Sequence, residues 1–329
     1  GYPLVKLRPT EFKDKRWLFT YQSTDEGNQL EGFHEEFRNL HDKNMRLRKQ
    51  GIVPQSIFAS SLKDARIPVH KVRKRGATRV FSESPIELTW TIRKYYGHFS
   101  AALTRNRGPN GVFIGCSPET EWKDLVAILN EVAPKPGKPK IVTGDYSHYG
   151  DSLNSECLWL CFQIIDNWYD HYYHADPNHA ENRAVRYILA KEVLHAPRIV
   201  QNIVYKMFCG LPSGLALTAE LNSLVNMMYM RLAWKSIHRF DPQMYLGQFR
   251  NYVRLVTYGD DLIMSISESA PEFNFNSIRD FLADYDISFT HASKKTDYCL
   301  PYENLENATF LKRGFYPAER RGEIKCPLP

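Results

Sequence analysis

Long hydrophobic runs are missing from this chain: no apolar stretch approaches the length of a bilayer span, and no secretory leader opens it. Cysteine is sparse. The six thiols (Cys116, Cys157, Cys161, Cys209, Cys299 and Cys326) lack the paired short spacing of a zinc knuckle. They read as reduced thiols of a cytosolic protein, with Cys157 and Cys161 one helical turn apart on a core face. Low-complexity sequence is absent, which excludes a disordered chain. Neither sign of charge dominates: 43 Lys+Arg stand against 37 Asp+Glu, a net charge of +6. That balance is compatible with a nucleic-acid partner without requiring one. An initiator methionine is also missing, since the chain begins GYPLVK, and this reads as a piece of a longer polypeptide.

What is present is apolar and aromatic. With 329 residues, 43% hydrophobic and 13% aromatic, the chain can bury a large core and form two or three lobes. Basic residues gather at Lys71, Arg73, Lys74, Arg75 and Arg79, at Arg105 and Arg107, and at Lys312, Arg313, Arg320 and Arg321. Periodicity predicts helices over 28–49, 85–103, 121–132, 152–172, 185–200 and 277–285, with a long one opening after the glycine-bearing loop 210–216 and running to about Trp234. Extended segments are predicted around TRVFS, KIVTGDYS, 287–290 and 308–316. YVRLVTYGDDLIMSIS, residues 252–267, reads as a β-hairpin. This order predicts an α+β fold, an antiparallel sheet backed by helices.

Asp260 and Asp261 fall at the hairpin tip. Two adjacent acids repel there unless a cation sits between them, and Gly259 supplies the backbone angles of the turn. A third acid, Asp145, ends the strand KIVTG. If the strands are neighbours, three carboxylates converge at one sheet edge, a hard-oxygen set suited to Mg²⁺ or Mn²⁺. Two such ions about 3.5–4 Å apart would activate an attacking hydroxyl and neutralise a leaving phosphate. The histidines of HYYHADPNH (His171, His174 and His179) superficially suggest zinc, but no cysteine or second pair completes a site. Trp168, Tyr169, Tyr172 and Tyr173 read as packing residues.

Taken in order, the motifs resemble those of the RNA-dependent RNA polymerases of picorna-like viruses, over nearly the whole chain. GDYSHYGDSL carries Asp145; GLPSGLALTAELNSLVN carries Ser213, Gly214, Thr218 and Asn222; YGDD spans 258–261; THASKK carries Lys294; FLKR spans 310–313; and KDARIPVHKVRKRGATR, from Lys63 to Arg79, resembles the basic fingers motif. The resemblance implies a right-hand polymerase with an antiparallel-sheet palm. The implied division is partial fingers at 1–99, palm at 100–192, a fingers insert at 193–210, palm again at 211–316, and the start of a largely absent thumb at 317–329. It further implies two Mg²⁺ (or Mn²⁺) ions on Asp145 and Asp260, with Asp261 assisting, and Lys294 as general acid toward pyrophosphate. Lys63, Lys71 and Arg79 would grip the triphosphate, and Ser213, Thr218 and Asn222 would sit beside the ribose. Gly214 would approach the template, and Lys312 and Arg313 would hold the primer strand.

Two departures stand out. Ala77 and Ala65 replace residues usual in the basic motif, so Lys74 or Arg75 substitutes there. The position of the family's second acid in the first motif is Gly150, with Asp151 next to it; Asp151 reaches the ribose if the backbone shifts. Implied partners are an RNA template and primer, nucleoside triphosphates, a protein primer and other viral replication proteins, in membrane-associated complexes of the host cytoplasm. A reverse transcriptase and a non-catalytic RNA-binding fragment remain as alternatives. Asn222, FLKR and the basic loop speak against the first.

Overall fold

The computed structural model describes residues 8–25, 27–64, 66–67, 69–73, 78–134, 137–292, 300–317 and 324–327, with only the backbone described at His70 and Lys71. In chain order come strands β1 (Phe19–Thr24) and β2 (Gly27–Phe33), helix α1 (Glu35–Lys49), β3 (Phe58–Leu62), the one-turn α2 (Val69–Val72), β4 (Val80–Glu83) and α3 (Ile86–Arg105). Then follow α4 (Pro118–Asn130), β5 (Lys140–Tyr146), the short α5 (Tyr149–Ser152), α6 (Ser155–Tyr172), α7 (His179–Leu194), β6 (Arg198–Val200) and β7 (Ile203–Tyr205). The remainder is α8 (Thr218–Ile237), α9 (Phe249–Tyr252), β8 (Val253–Tyr258), β9 (Asp261–Ile266), α10 (Phe275–Ala283), β10 (Phe289–Thr290), β11 (Tyr316–Pro317) and β12 (Ile324–Lys325). This is an α+β fold. Among the described residues no helix is long and apolar enough to cross a membrane.

Packing gathers the chain into two compact units, residues 1–97 with 162–216, and residues 98–161 with 217–329. Residues 162–192, grouped with 100–161 on sequence, fall instead in the first unit, because α7 carries Glu192 onto Arg48 of α1. The first unit holds the β1–β2 hairpin and a sheet of order β4-β3-β6-β7, in which β3 runs parallel to β6. Inside it Arg48 is fully buried. Its guanidinium donates to both oxygens of Glu87 at 2.7 and 2.9 Å and to both of Glu192 at 2.9 and 3.0 Å. Asn44 Nδ2 donates to Glu87 as well, at 2.8 Å, and His41 Nδ1 lies 2.9 Å from it. The buried charges thus have fixed partners, the condition under which burial of ions is tolerated.

Two predicted helices come out differently here. Residues 27–33 form β2 because the chain turns back on β1 with Thr24 opposite Gly27, and α1 starts only after His34, whose ring accepts the Glu36 amide. Likewise 198–200 is a strand, drawn out of helix by pairing with β3 and β7.

The second unit is built on an antiparallel sheet of order β10-β5-β9-β8. β5, β8 and β9 are buried along most of their length, and α8 lays Leu221, Val225, Tyr229, Met230 and Trp234 into the core. α10 is fixed by a capping box in which Asn274 and Ser277 satisfy each other's backbone amides. A second cluster forms around Trp122, which stacks on Phe315 at 5.4 Å and donates Nε1–H to the Gly314 carbonyl at 3.0 Å. The segment 308–316, expected as extended, contains a tight turn instead. Phe310 and Arg313 pair across Leu311 and Lys312, both left-handed at φ 52° and 59°.

Candidate active site

The sheet register brings the acids together. β5 and β9 pair from Lys140–Ile266 to Gly144–Leu262, so one step further Asp145 stands across from Asp261. β8 and β9 pair up to Tyr258–Asp261, leaving Gly259 and Asp260 as the turn, with Gly259 at φ 66°. The carboxylates of 145, 260 and 261 therefore share one sheet end. Asp260 is exposed, Asp145 and Asp261 half-buried.

Asp261 is anchored from outside the hairpin. Its Oδ2 accepts the Leu311 amide at 2.7 Å, which the left-handed turn at Leu311 and Lys312 presents to it. Burial pushes its carboxyl up to about 7; the Leu311 hydrogen bond opposes this, while the nearby charges of Asp260 and Asp145 add to it.

α8 holds the tip from below with two residues that sequence reasoning missed. Ser223 Oγ, already donating to the Ala219 carbonyl, accepts the Gly259 amide at 2.7 Å. Asn226 Nδ2 donates to the carbonyls of Gly259 and Asp260 at 3.2 and 3.1 Å, and its Oδ1 accepts the Tyr146 hydroxyl at 2.9 Å. Ser223 and Asn226 are fully buried, so one network links β5 beside Asp145 to the turn carrying Asp260. The available signal was polarity. Serine and asparagine on the apolar face of a helix must find partners, and a glycine turn offers bare backbone groups.

Asn222, one turn earlier on α8, is half-buried and its carbonyl accepts the Tyr149 hydroxyl at 2.8 Å. Its side-chain Oδ1 is buried with no hydrogen-bond partner among the described residues. Asp151 is exposed on α5, after the left-handed His148, and the position of Gly150 has open space where a Cβ would project.

Other predicted residues are placed as follows. Thr218 opens α8, in the unit that holds the acids. Ser213 and Gly214 belong to the first unit, against β4: Ser213 Oγ accepts the Ser82 amide at 3.2 Å and the Gly214 amide donates to the Ser82 carbonyl at 2.9 Å. A Cβ at Gly214 would come within 2.2 Å of that carbonyl, so what this glycine closely approaches is the protein's own strand. Lys63 and Arg79 are exposed at adjoining ends of β3 and β4, the Lys63 amide donating to the Arg79 carbonyl at 2.8 Å. Lys312 is exposed; Arg313 is half-buried and donates to the Cys326 carbonyl at 2.8 Å. The Lys71 side chain and Lys74, Arg75 and Lys294 lie outside the described residues. His179 lies 2.9 Å from Asp170, and Tyr169 is capped by the Arg186 guanidinium at 4.0 Å.

Among the described residues no three His, Cys, Asp or Glu side chains form a ready-made metal cluster. The donor set still suits a hard divalent ion that brings other oxygens with it. It consists of carboxylates alone, one of them pushed up to about 7 by burial and by the charges of the other two.

A family model described as viral RNA-dependent RNA polymerase matches residues 1–326. The chain is 36% identical over 319 residues to the genome polyprotein of Deformed wing virus, covering 96% of this chain and 11% of the polyprotein. It is 28% identical over 333 residues to the replicase polyprotein of Drosophila C virus, covering 96% of this chain and 18% of that one. The fold matches the solved Sicinivirus 3Dpol RNA dependent RNA polymerase with a TM-score of 0.73 at 21% identity, over 94% of this chain and 59% of that chain. The chain thus spans only a small part, 11% and 18%, of these two curated relatives.

Proposed function

Since the chain belongs to the viral RNA-dependent RNA polymerase family, we propose that it catalyses template-directed transfer of a nucleotide to an RNA 3′-hydroxyl, at the sheet end shared by Asp145, Asp260 and Asp261. The observation that carries this reading is the strand register, which sets residues distant in sequence across from one another at that edge. The second unit corresponds to the palm and the first to the fingers.

Asp145 and Asp260 would hold the divalent ions on which the family depends, Mg²⁺ or Mn²⁺, two per site, with Asp261 assisting. Bound there, such ions supply charge neutralisation and activation of the attacking hydroxyl. The chain's own residues do the rest. Ser223 and Asn226 fix the turn so that Asp260 projects from a set backbone. The unsatisfied Oδ1 of Asn222 accepts a hydrogen bond from the 2′-hydroxyl of the incoming ribonucleotide, a donor that a deoxyribonucleotide lacks. Asp151 assists from the same side. By the family resemblance, Thr218 and Ser213 would each serve ribose binding. Lys63, Lys71 and Arg79 meet the triphosphate, where guanidinium forks match phosphate oxygens. Lys294 protonates the departing pyrophosphate. Lys312 and Arg313 contact primer phosphates, and RNA template, protein primer and other replication proteins on host cytoplasmic membranes complete the working assembly.

The test is Mg²⁺-dependent extension of a primed RNA template by the parent chain and by Asp260→Asn. The expected result is a fall of roughly a thousandfold or more in rate, with the fold retained, because among the described residues no hydrogen bond or ion pair uses the Asp260 carboxylate. Equal extension by both proteins would refute the assignment.

A further inference from the structure

A cleft of about 350 Å³ opens in the second unit around the start of β8. That is the end of the hairpin away from Asp260, roughly 15 Å along the strand. Its wall carries Arg231 from α8, Phe249 and Arg250 from α9, Arg254 from β8, and Glu131 just past α4. Three guanidiniums thus face a single carboxylate.

Only one of the three is neutralised. Arg254 Nε pairs with Glu131 at 2.5 Å. Arg231 is half-buried; its Nη1 donates to the Met227 carbonyl at 3.0 Å and its guanidinium lies over the Phe249 ring at 4.8 Å. Arg250 donates to the Pro109 carbonyl. Among the described residues neither Arg231 nor Arg250 has a carboxylate within ion-pair distance. Burial, followed by the repulsion of Arg250, works against the charge on Arg231. A desolvated cation beside a like charge is costly, and the cost is lifted by an anion lying between the two.

We propose that this cleft binds a phosphate group, at a place separate from the carboxylate tip. One carboxylate can engage one guanidinium fork, whereas a phosphate has enough oxygens to bridge Arg231 and Arg250 together. The volume is ample for a phosphate or pyrophosphate group. The group belongs either to a free nucleotide or to the backbone of an RNA strand.

The probe is inorganic pyrophosphate, titrated calorimetrically into the 329-residue chain carrying Asp260→Asn, in a chelator. This background separates the outcome from the polymerase reading, because nothing in the cleft depends on the acids. Arg250→Gln, at an exposed position, weakens binding roughly tenfold or more, the value of a charged hydrogen bond. Arg231→Gln does the same. Glu131→Gln moves affinity the other way and tightens it several-fold, since it removes the competing carboxylate and frees Arg254. Displacement of pyrophosphate by ATP assigns the cleft to free nucleotide, and displacement by single-stranded oligouridylate assigns it to an RNA strand. Displacement by neither, or equal affinities in the parent, Arg250→Gln and Glu131→Gln, overturns the proposal.

Discussion

Glu87 in the first unit and Asp261 in the second are both carboxylates taken largely out of water, and they come to opposite states. Burial alone would raise Glu87, but His41, Arg48 and Asn44 outweigh it and hold the carboxyl down to about 2. Asp261 is buried with only the backbone amides of Leu311 and Leu262 for support and two acids nearby, and it is pushed up to about 7. Where the chain supplies its own cation the acid is spent on the fold. Where the described residues supply none, burial and like charge raise the acid instead. Burial does not mark a functional carboxylate; the identity of its partner does.

The comparison breaks first at Arg48. Arg48→Met leaves Glu87 and Glu192 buried without a counter-charge, and should cost about 3–5 kcal/mol in a denaturant titration. A loss below about 1 kcal/mol would show that water enters and solvates both acids.

Asp261 should behave in the reverse sense. Its folded-state pKa near 7 exceeds the ordinary carboxylate value of 3.8, so the fold binds the proton more tightly than the unfolded chain does. Stability is then full below about pH 4 and falls as pH rises to 7. Asp261→Asn, which can keep the Leu311 hydrogen bond, should therefore stabilise the protein at pH 8 in a chelator by up to about 4 kcal/mol, with no gain at pH 4. Added Mg²⁺ should narrow the difference by stabilising the parent. Thermal melts at the two pH values read this directly, and a gain that is independent of pH would contradict it.

The smallest effect is expected at Asn222. Asn222→Ala removes the acceptor left unsatisfied at the site and should lower the preference for ribo- over deoxyribonucleotides roughly tenfold, about 1.4 kcal/mol, read as a ratio of kcat/KM. An unchanged ratio would move ribose selection to Asp151 or Thr218.

Sequence carried much of this and missed what depends on distant partners. YGDD between apolar runs announces its own hairpin, because strand period and turn chemistry are local. Asp145 could be named as a strand end, and the register then placed it. By contrast, Arg48 sits in a helix dense with charge, and nothing local shows that it alone is buried between Glu87 and Glu192, 39 and 144 residues away. Helix was predicted for 28–33 and 198–200 because composition cannot see the strand that will pair with them. FLKR was read as extended since two non-glycine residues in left-handed geometry have no sequence signature; the cost of about 1–2 kcal/mol each is offset by the amide turned toward Asp261.

The grip of Asn226 on the hairpin tip is made on main-chain carbonyls, and that of Ser223 on a main-chain amide. Neither touches an acidic side chain. Architecture and reactivity are therefore assigned to different atoms of the same turn, and the side chain at position 260 is free to vary without unseating the loop. Such a tip can drift toward another ligand chemistry, or fall silent, while the molecule around it keeps its shape.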